Sequence, residues 1–247
     1  MNHPILITGG TGALGRHLVP LLAARDVRVL SRRPGNGRLV GDLDTGAGLA
    51  VAARGARTIV HCASSLRGDD VARTRTLISA ADAGAHLLYV SIVGVDRHPL
   101  RYYRAKYACE RLIESCGLPH TILRATQFHE QIVRMLRVLT RLPVAPVLAG
   151  TGFQPIDSAE VAARLAELAL GEPAGRAADL GGPEVQPFTG LARTFLRAYG
   201  LRRPVLPVRV PGPAGDAFRR GVHLAPDRRV GRRTFAEFLA GRPAARS

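Results

Sequence analysis

The stretch from Pro4 to Gly15, PILITGGTGALG, constrains the fold of this chain more than any other. It reads as a short apolar strand (Ile5, Leu6, Ile7), a tight glycine turn, and the first turn of a helix. The pattern is carried by Gly9, Gly12 and Gly15, and Gly10 supplies a second register, Gly10-x-Gly12-x-x-Gly15. Each position suits a residue without Cβ. One reverses the chain at positive φ, one lets the backbone approach a diphosphate, and one lets the helix pack against the strand. Glycine patterns are also common in ordinary turns, so context decides. Here an apolar run precedes the turn and the helix-period stretch LGRHLVPLLAAR follows it, which is the setting a dinucleotide site requires.

The rest of the first half repeats the theme. Strands are expected at 27–30, 38–40, 58–61, 86–91 and 119–123, with helices at 12–25, 45–54, 69–83 and 99–116 between them. Such alternation predicts an α/β fold, a doubly wound parallel sheet covered on both faces. From Gln127 the alternation loosens. A helix at 127–141 leads into the proline-rich LPVAPVLAG, an extended piece near Phe153–Ile156, a helix at 158–170, and loops punctuated by proline. This predicts a dinucleotide-binding domain at 1–126 and a smaller substrate lobe at 127–247, interleaved with it over the carboxyl ends of the strands.

Composition excludes several classes. No apolar run reaches the ~18 residues of a membrane span. The first strand starts almost at once, without a secretory signal, and a cytoplasmic location is expected. Cys62, Cys109 and Cys116 are scattered and form no CxxC pair, so free thiols are expected. Nor is there a metal-ligand spacing such as H-E-x-x-H. The net charge of +16 invites a nucleic-acid reading, but of 35 basic residues only Lys106 is lysine. So strong a preference for arginine points to coding bias at solvated positions. Residues 191–247 hold 13 arginines against three acids, yet their aromatics fall on helix faces, unlike a base-stacking platform. The expected partner is a small molecule, with no nucleic acid or membrane, on a monomer or homodimer. A basic field would help attract an anionic cofactor.

Two places carry chemistry. The second strand ends in Ser31-Arg32-Arg33 instead of the carboxylate that holds the ribose 2′-hydroxyl of NAD. Arginine pairs bidentately with phosphate, so NADPH is expected, with Arg32 the better-placed contact. The second place is Tyr102-Tyr103-Arg104-Ala105-Lys106. Tyr102 and Lys106 are four apart and share a helix face. A lysine beside a tyrosine favours the phenolate, and the phenol can protonate a substrate oxygen as hydride arrives. Tyr103 and Tyr107 compete with Tyr102 for this role. Ser91, at the end of the fifth strand, either orients a substrate oxygen or satisfies a backbone group. Ala63, Ser64 and Ser65, after the fourth strand, would line the nicotinamide side. His129 is either a substrate contact or a solvated helix-start histidine. Arg124 either meets an anionic substrate or pairs with Glu130. His17, His61, His86 and His120 read as packing or surface.

These pieces together resemble the atypical short-chain dehydrogenase/reductase superfamily, and within it the NmrA-like NAD(P)H-binding branch. The resemblance rests on TGGTGALG, VLSRRP, GDLD, YVSIVGVD, YYRAKYACERLIESCGLPHTILRATQFHE, FQPIDSAEVAA and TFAEFL. It implies a Rossmann-type fold with Thr11, Gly12, Ala13 and Leu14 on the diphosphate, Arg32 on the 2′-phosphate, and Asp42 and Leu43 beside the adenine. It also implies Ala63 and Ser64 near the nicotinamide, Lys106 on its ribose, residues 122–126 on its far side, and Phe128 in the substrate pocket. The Ser91-to-Tyr102 spacing of eleven is slightly short for the superfamily's Ser–Tyr–Lys set. In this branch the tyrosine is often absent. Three readings follow: an NADPH-dependent reductase of a carbonyl, quinone or enone on an apolar or aromatic molecule; a regulator that senses NADP over NADPH and docks on a partner; and a cofactor-bound isomerase or cyclase.

Overall fold

The structure is a computed structural model that describes residues 3–35, 37–64 and 69–241. In chain order its elements are β1 (Ile5–Thr8), α1 (Gly15–Leu21), β2 (Val27–Ser31), β3 (Arg38–Val40), α2 (Leu49–Ala53), β4 (Thr58–His61), α3 (Asp70–Ala80), β5 (His86–Ile92), α4 (Arg101–Glu114) and β6 (His120–Ala125). There follow α5 (His129–Leu139), β7 (Ala145–Leu148), β8 (Gly152–Phe153), α6 (Ser158–Leu170), β9 (Gly175–Arg176), β10 (Gln186–Pro187), α7 (Phe188–Ala198), β11 (Val205–Val208), α8 (Pro213–Arg219) and α9 (Phe235–Ala240). The chain divides into two compact units. The first comprises Met1–Ser91, Arg101–Arg124 and Ala159–Ala178; the second comprises Ile92–Leu100, Ala125–Ser158 and Asp179–Ser247.

The first unit is built on a seven-stranded sheet ordered β3-β2-β1-β4-β5-β6-β9. β1 pairs in parallel with β2 on one side and β4 on the other. The strand order reverses at β1, and in such sheets ligands bind beyond the carboxyl ends at that point. The fold is therefore the Rossmann-type α/β sheet. All four residues of β1 are buried, as are the first six of β5, as strands covered on both faces must be. Leu6, Leu30, Leu49, Ile59, Leu77, Leu87 and Ile113 pack into one core.

In the second unit β10 pairs antiparallel with β8, and β11 pairs in parallel with β7. The apolar faces of α5, α7 and α9 close over a core of Ile132, Leu136, Phe153, Phe188, Phe195, Phe235 and Phe238.

Three elements differ from the sequence expectation. α1 is shorter than 12–25, because Pro20 lies inside it and the chain closes beyond Leu21 through tight bonds such as Leu22 N–H to Val19 O. α2 starts only at Leu49, because Gly46 and Gly48 adopt φ of 78° and 72°. The proline-rich LPVAPVLAG contains a strand, β7. In this two-stranded ribbon each strand has one partner, so Pro146 and Pro207 leave no ladder partner unmet on a second side.

Candidate functional site

Gly9 sits at φ 71°, and a Cβ there would lie 2.6 Å from the Ala63 amide nitrogen. Only glycine fits where β1 turns past the end of β4. A Cβ on Gly15 would collide with the backbone of Gly9 and Gly10, so this residue lets α1 rest on the turn. Gly12 differs: a Cβ there would meet nothing within 4 Å but the Gly9 carbonyl, at 3.2 Å. Its outer side is open. Among the described residues the amides of Thr11, Ala13 and Leu14 find no backbone acceptor, so unpaired donors stand at the start of α1. An open glycine face beside free amides fits a diphosphate.

At the end of β2, Ser31 forms a tight turn, its hydroxyl donating to the Arg33 carbonyl and accepting from the Arg33 amide. Arg32 and Arg33 are exposed. Arg32 stands near enough to Asp44 to help hold its carboxyl below the usual range, though the main cause is the Arg73 guanidinium, which donates to both Asp44 oxygens at 2.6 and 2.8 Å. Asp42 caps the same loop by accepting from the Asp44 amide, and Leu43 is buried in the core.

Lys106 is buried on α4. Its Nζ donates to the Val90 carbonyl at 3.3 Å, lies 4.8 Å from the Tyr89 ring centroid, and stands 3.8 Å from the Asp70 carboxylate. That carboxylate also accepts from the Ser64 hydroxyl at 2.8 Å. Ser64 in turn lies 3.4 Å from the Tyr102 phenol oxygen. The structure thus brings Lys106, Ser64 and Tyr102 together, joined by Asp70, which sequence reasoning missed. An acid opening a helix reads as a charge favoured by the helix dipole, and nothing in the local pattern points it at a lysine 36 residues away. Tyr103 is buried, its ring edge-on to Tyr102 at 6.2 Å. Ser91 is buried, and among the described residues its hydroxyl has no hydrogen-bond partner. Ala63 is half-buried, and Ser65 lies outside the described residues.

This geometry can be set beside known proteins. A family model described as NAD(P)H-binding matches residues 9–169. The chain belongs to this NAD(P)H-binding family. A reductase of (4-alkanoyl-5-oxo-2,5-dihydrofuran-3-yl)methyl phosphate from Streptomyces griseus is 29% identical, covering 97% of this chain and 94% of that one. An NADPH-dependent quinone oxidoreductase from Escherichia coli, solved with NADPH, superposes with a TM-score of 0.79 at 20% identity, covering 96% and 98% of the two chains. A nucleoside-diphosphate-sugar epimerase from Staphylococcus aureus gives 0.77 at 17% identity, covering 97% and 99%.

In this NAD(P)H-binding protein several polar residues serve the scaffold. Arg124 donates from Nε and Nη2 to the two oxygens of Glu110, at 2.9 and 2.7 Å, and Arg176 adds a third contact to Glu110 at 3.1 Å. Glu130 accepts from Ser158. His61 bridges Thr8 and Thr74 at 2.6 and 3.2 Å. Thr74 donates to the Asp70 carbonyl, so it accepts from His61 Nε2–H, and Nδ1 takes the Thr8 proton. Burial, with smaller contributions from Lys106 and Arg73, pushes the His61 pKa down to about 3. Burial pushes the Cys62 thiol up to about 12.

In the second unit Phe128 precedes α5 and is half-buried. His129 is not solvated. It is enclosed against Phe238 at 4.8 Å and Phe235 at 5.8 Å, with Nε2 on the Arg233 carbonyl. Its pKa is lowered, chiefly by burial. A cavity of about 530 Å³ in this unit is lined by Gln186, Thr194, Leu196 and the arginines 193, 197, 202 and 203. Among the described residues no group of His, Cys, Asp and Glu could hold a metal ion, and no helix is long and apolar enough to cross a membrane.

Proposed function

We propose that the protein is an NADPH-dependent reductase acting on a carbonyl, quinone or enone of an apolar or aromatic small molecule. One observation carries the reading. The only lysine of 247 residues is buried at the carboxyl end of β5, in one polar group with a serine and a tyrosine. When bound, NADPH would supply the hydride. Thr11 to Leu14 would hold its diphosphate, Arg32 its 2′-phosphate, and Lys106 its nicotinamide ribose. Asp42 and Leu43 would flank the adenine. Tyr102 holds a proton on its phenol oxygen, within reach of Ser64, and would pass it to the substrate oxygen as that oxygen gains charge. Ser91, with its unpaired hydroxyl, would donate a hydrogen bond to the same oxygen. The reductase similarity at 29% identity supports the reaction class.

The test is oxidation of 4-deuterated NADPH against a panel of carbonyls, quinones and enones, with Lys106→Ala beside the wild type. NADPH consumed in step with product, deuterium on carbon of the carbonyl or enone products when both C4 positions are labelled, and a large loss of rate in the variant are expected. Product formed without net consumption of NADPH would overturn net reduction in favour of isomerisation or cyclisation. Tight cofactor binding with no turnover on any substrate would instead support a redox-sensing binding protein.

A further inference from the structure

Lys106 is surrounded from several elements, but among the described residues only one neighbour opposes its charge. β4 presents His61, neutral because burial holds its pKa near 3, and just after it comes Cys62, a thiol whose pKa burial raises to about 12. β5 presents the Tyr89 ring and the Val90 carbonyl. α4 itself adds Cys109, whose pKa is also raised by burial, and Tyr102; Glu110 is engaged by Arg124 and Arg176. α3 presents Asp70. Among the described residues this is the one carboxylate in ion-pair range of Lys106, and the two side chains are 3% and 6% exposed. A buried ammonium needs such a partner to stay charged and in place. The same Asp70 oxygen takes the Ser64 hydroxyl proton, and Ser64 stands beside the Tyr102 phenol.

We propose that Asp70 is a positioning residue. Its one carboxylate oxygen sets the place of the Lys106 ammonium and, through Ser64, the direction of the Tyr102 phenol. A single carboxylate on α3 thus couples the group that would hold the cofactor ribose to the group that would hold the transferable proton. This rests on the cofactor reading proposed above. A purely structural helix-start charge would stabilise α3 without linking those two groups.

Cofactor affinity, turnover and one resonance separate the possibilities. Because Lys106 is the sole lysine, protein labelled with ¹⁵N-lysine gives one side-chain signal. Asp70→Asn is expected to move that signal and to weaken NADPH binding by about 10- to 100-fold, the range for losing a charged hydrogen-bonding partner. Asp70→Glu keeps the charge and should stay within about threefold, the scatter of a mild rearrangement. Ser64→Ala should lower kcat. In a Lys106→Met background, Asp70→Asn should cost less than about twofold further, because the coupled partner is gone. Additive losses in that background, or an unmoved lysine signal, would overturn the proposal. So would a Glu variant as impaired as Lys106→Met, which settles the matter even if Asp70→Asn does not fold. If Lys106→Met binds NADPH like the wild type, the cofactor reading itself fails; if Lys106→Met is impaired and Asp70→Asn is not, only the role of Asp70 falls.

Discussion

Arg32 shows how far a single residue could be read from the chain. Its identity and its place at the end of β2 signalled a 2′-phosphate contact. The structure leaves it exposed beside the loop that carries Asp42 and Asp44. Arg32→Ala should raise the Kd for NADPH by about 10- to 100-fold and leave that for NADH within about twofold, since a charged hydrogen bond is lost with only one of them. Calorimetry with both cofactors checks this. The tyrosines divide as well. Tyr102 reaches Ser64, whereas Tyr103 is buried. Tyr102→Phe should lower kcat by about 10²- to 10⁴-fold, the usual worth of a general acid, while Tyr103→Phe should chiefly affect stability. Steady-state kinetics with thermal melts on both variants would show which phenol matters. The solvated reading of His129 failed because a helix start looks solvent-facing in one dimension. The ring that stacks on it, Phe238, lies 109 residues away in the chain.

Elements were legible where period and punctuation agreed. β4 and α6 match expectation to the residue, since Thr58–His61 is a bounded apolar run and Ser158 opens an apolar helix. β7 and β11 were invisible because proline argues against a strand, and the exception depends on a pairing that only the fold supplies. The glycine turn gives a clean pair of predictions. Gly9→Ala forces a Cβ into backbone at a left-handed φ and should destabilise by about 1–3 kcal/mol. Gly12→Ala meets little, so the fold should hold within about 1 kcal/mol, while the open face fills and NADPH affinity drops. Chemical denaturation with cofactor titration separates the two. Behind the site, Glu110 ties α4 to Arg124 on β6 and Arg176 on β9. Glu110→Ala would remove the buried carboxylate that Arg124 and Arg176 share and should lower stability in denaturant unfolding, by up to about 3–5 kcal/mol.

At the scale of the whole molecule, charge and burial set the response to pH. His61 and His223 are buried, chiefly desolvated, and neutral, with pKa values pushed down to about 3 and about 4 from 6.5. Between those values and 6.5 the unfolded chain binds protons that the folded one refuses. Stability should therefore be level above about pH 6.5 and fall as pH drops toward 4 and 3, by on the order of a few kcal/mol. Urea midpoints across pH 4–8 would show it, and His223→Gln should flatten part of the slope. The basic excess was legible as charge but not as purpose. It predicts only that NADPH binding weakens as salt is raised.

The central claim is that the glycine cradle and the sole lysine together form an NADPH site. Titration of the folded protein with NADPH and NADH, by calorimetry at low salt, tests it most directly. Saturable binding of NADPH, tighter than NADH by about tenfold or more, is predicted from the arginine contact. Folded protein that binds neither coenzyme would contradict it.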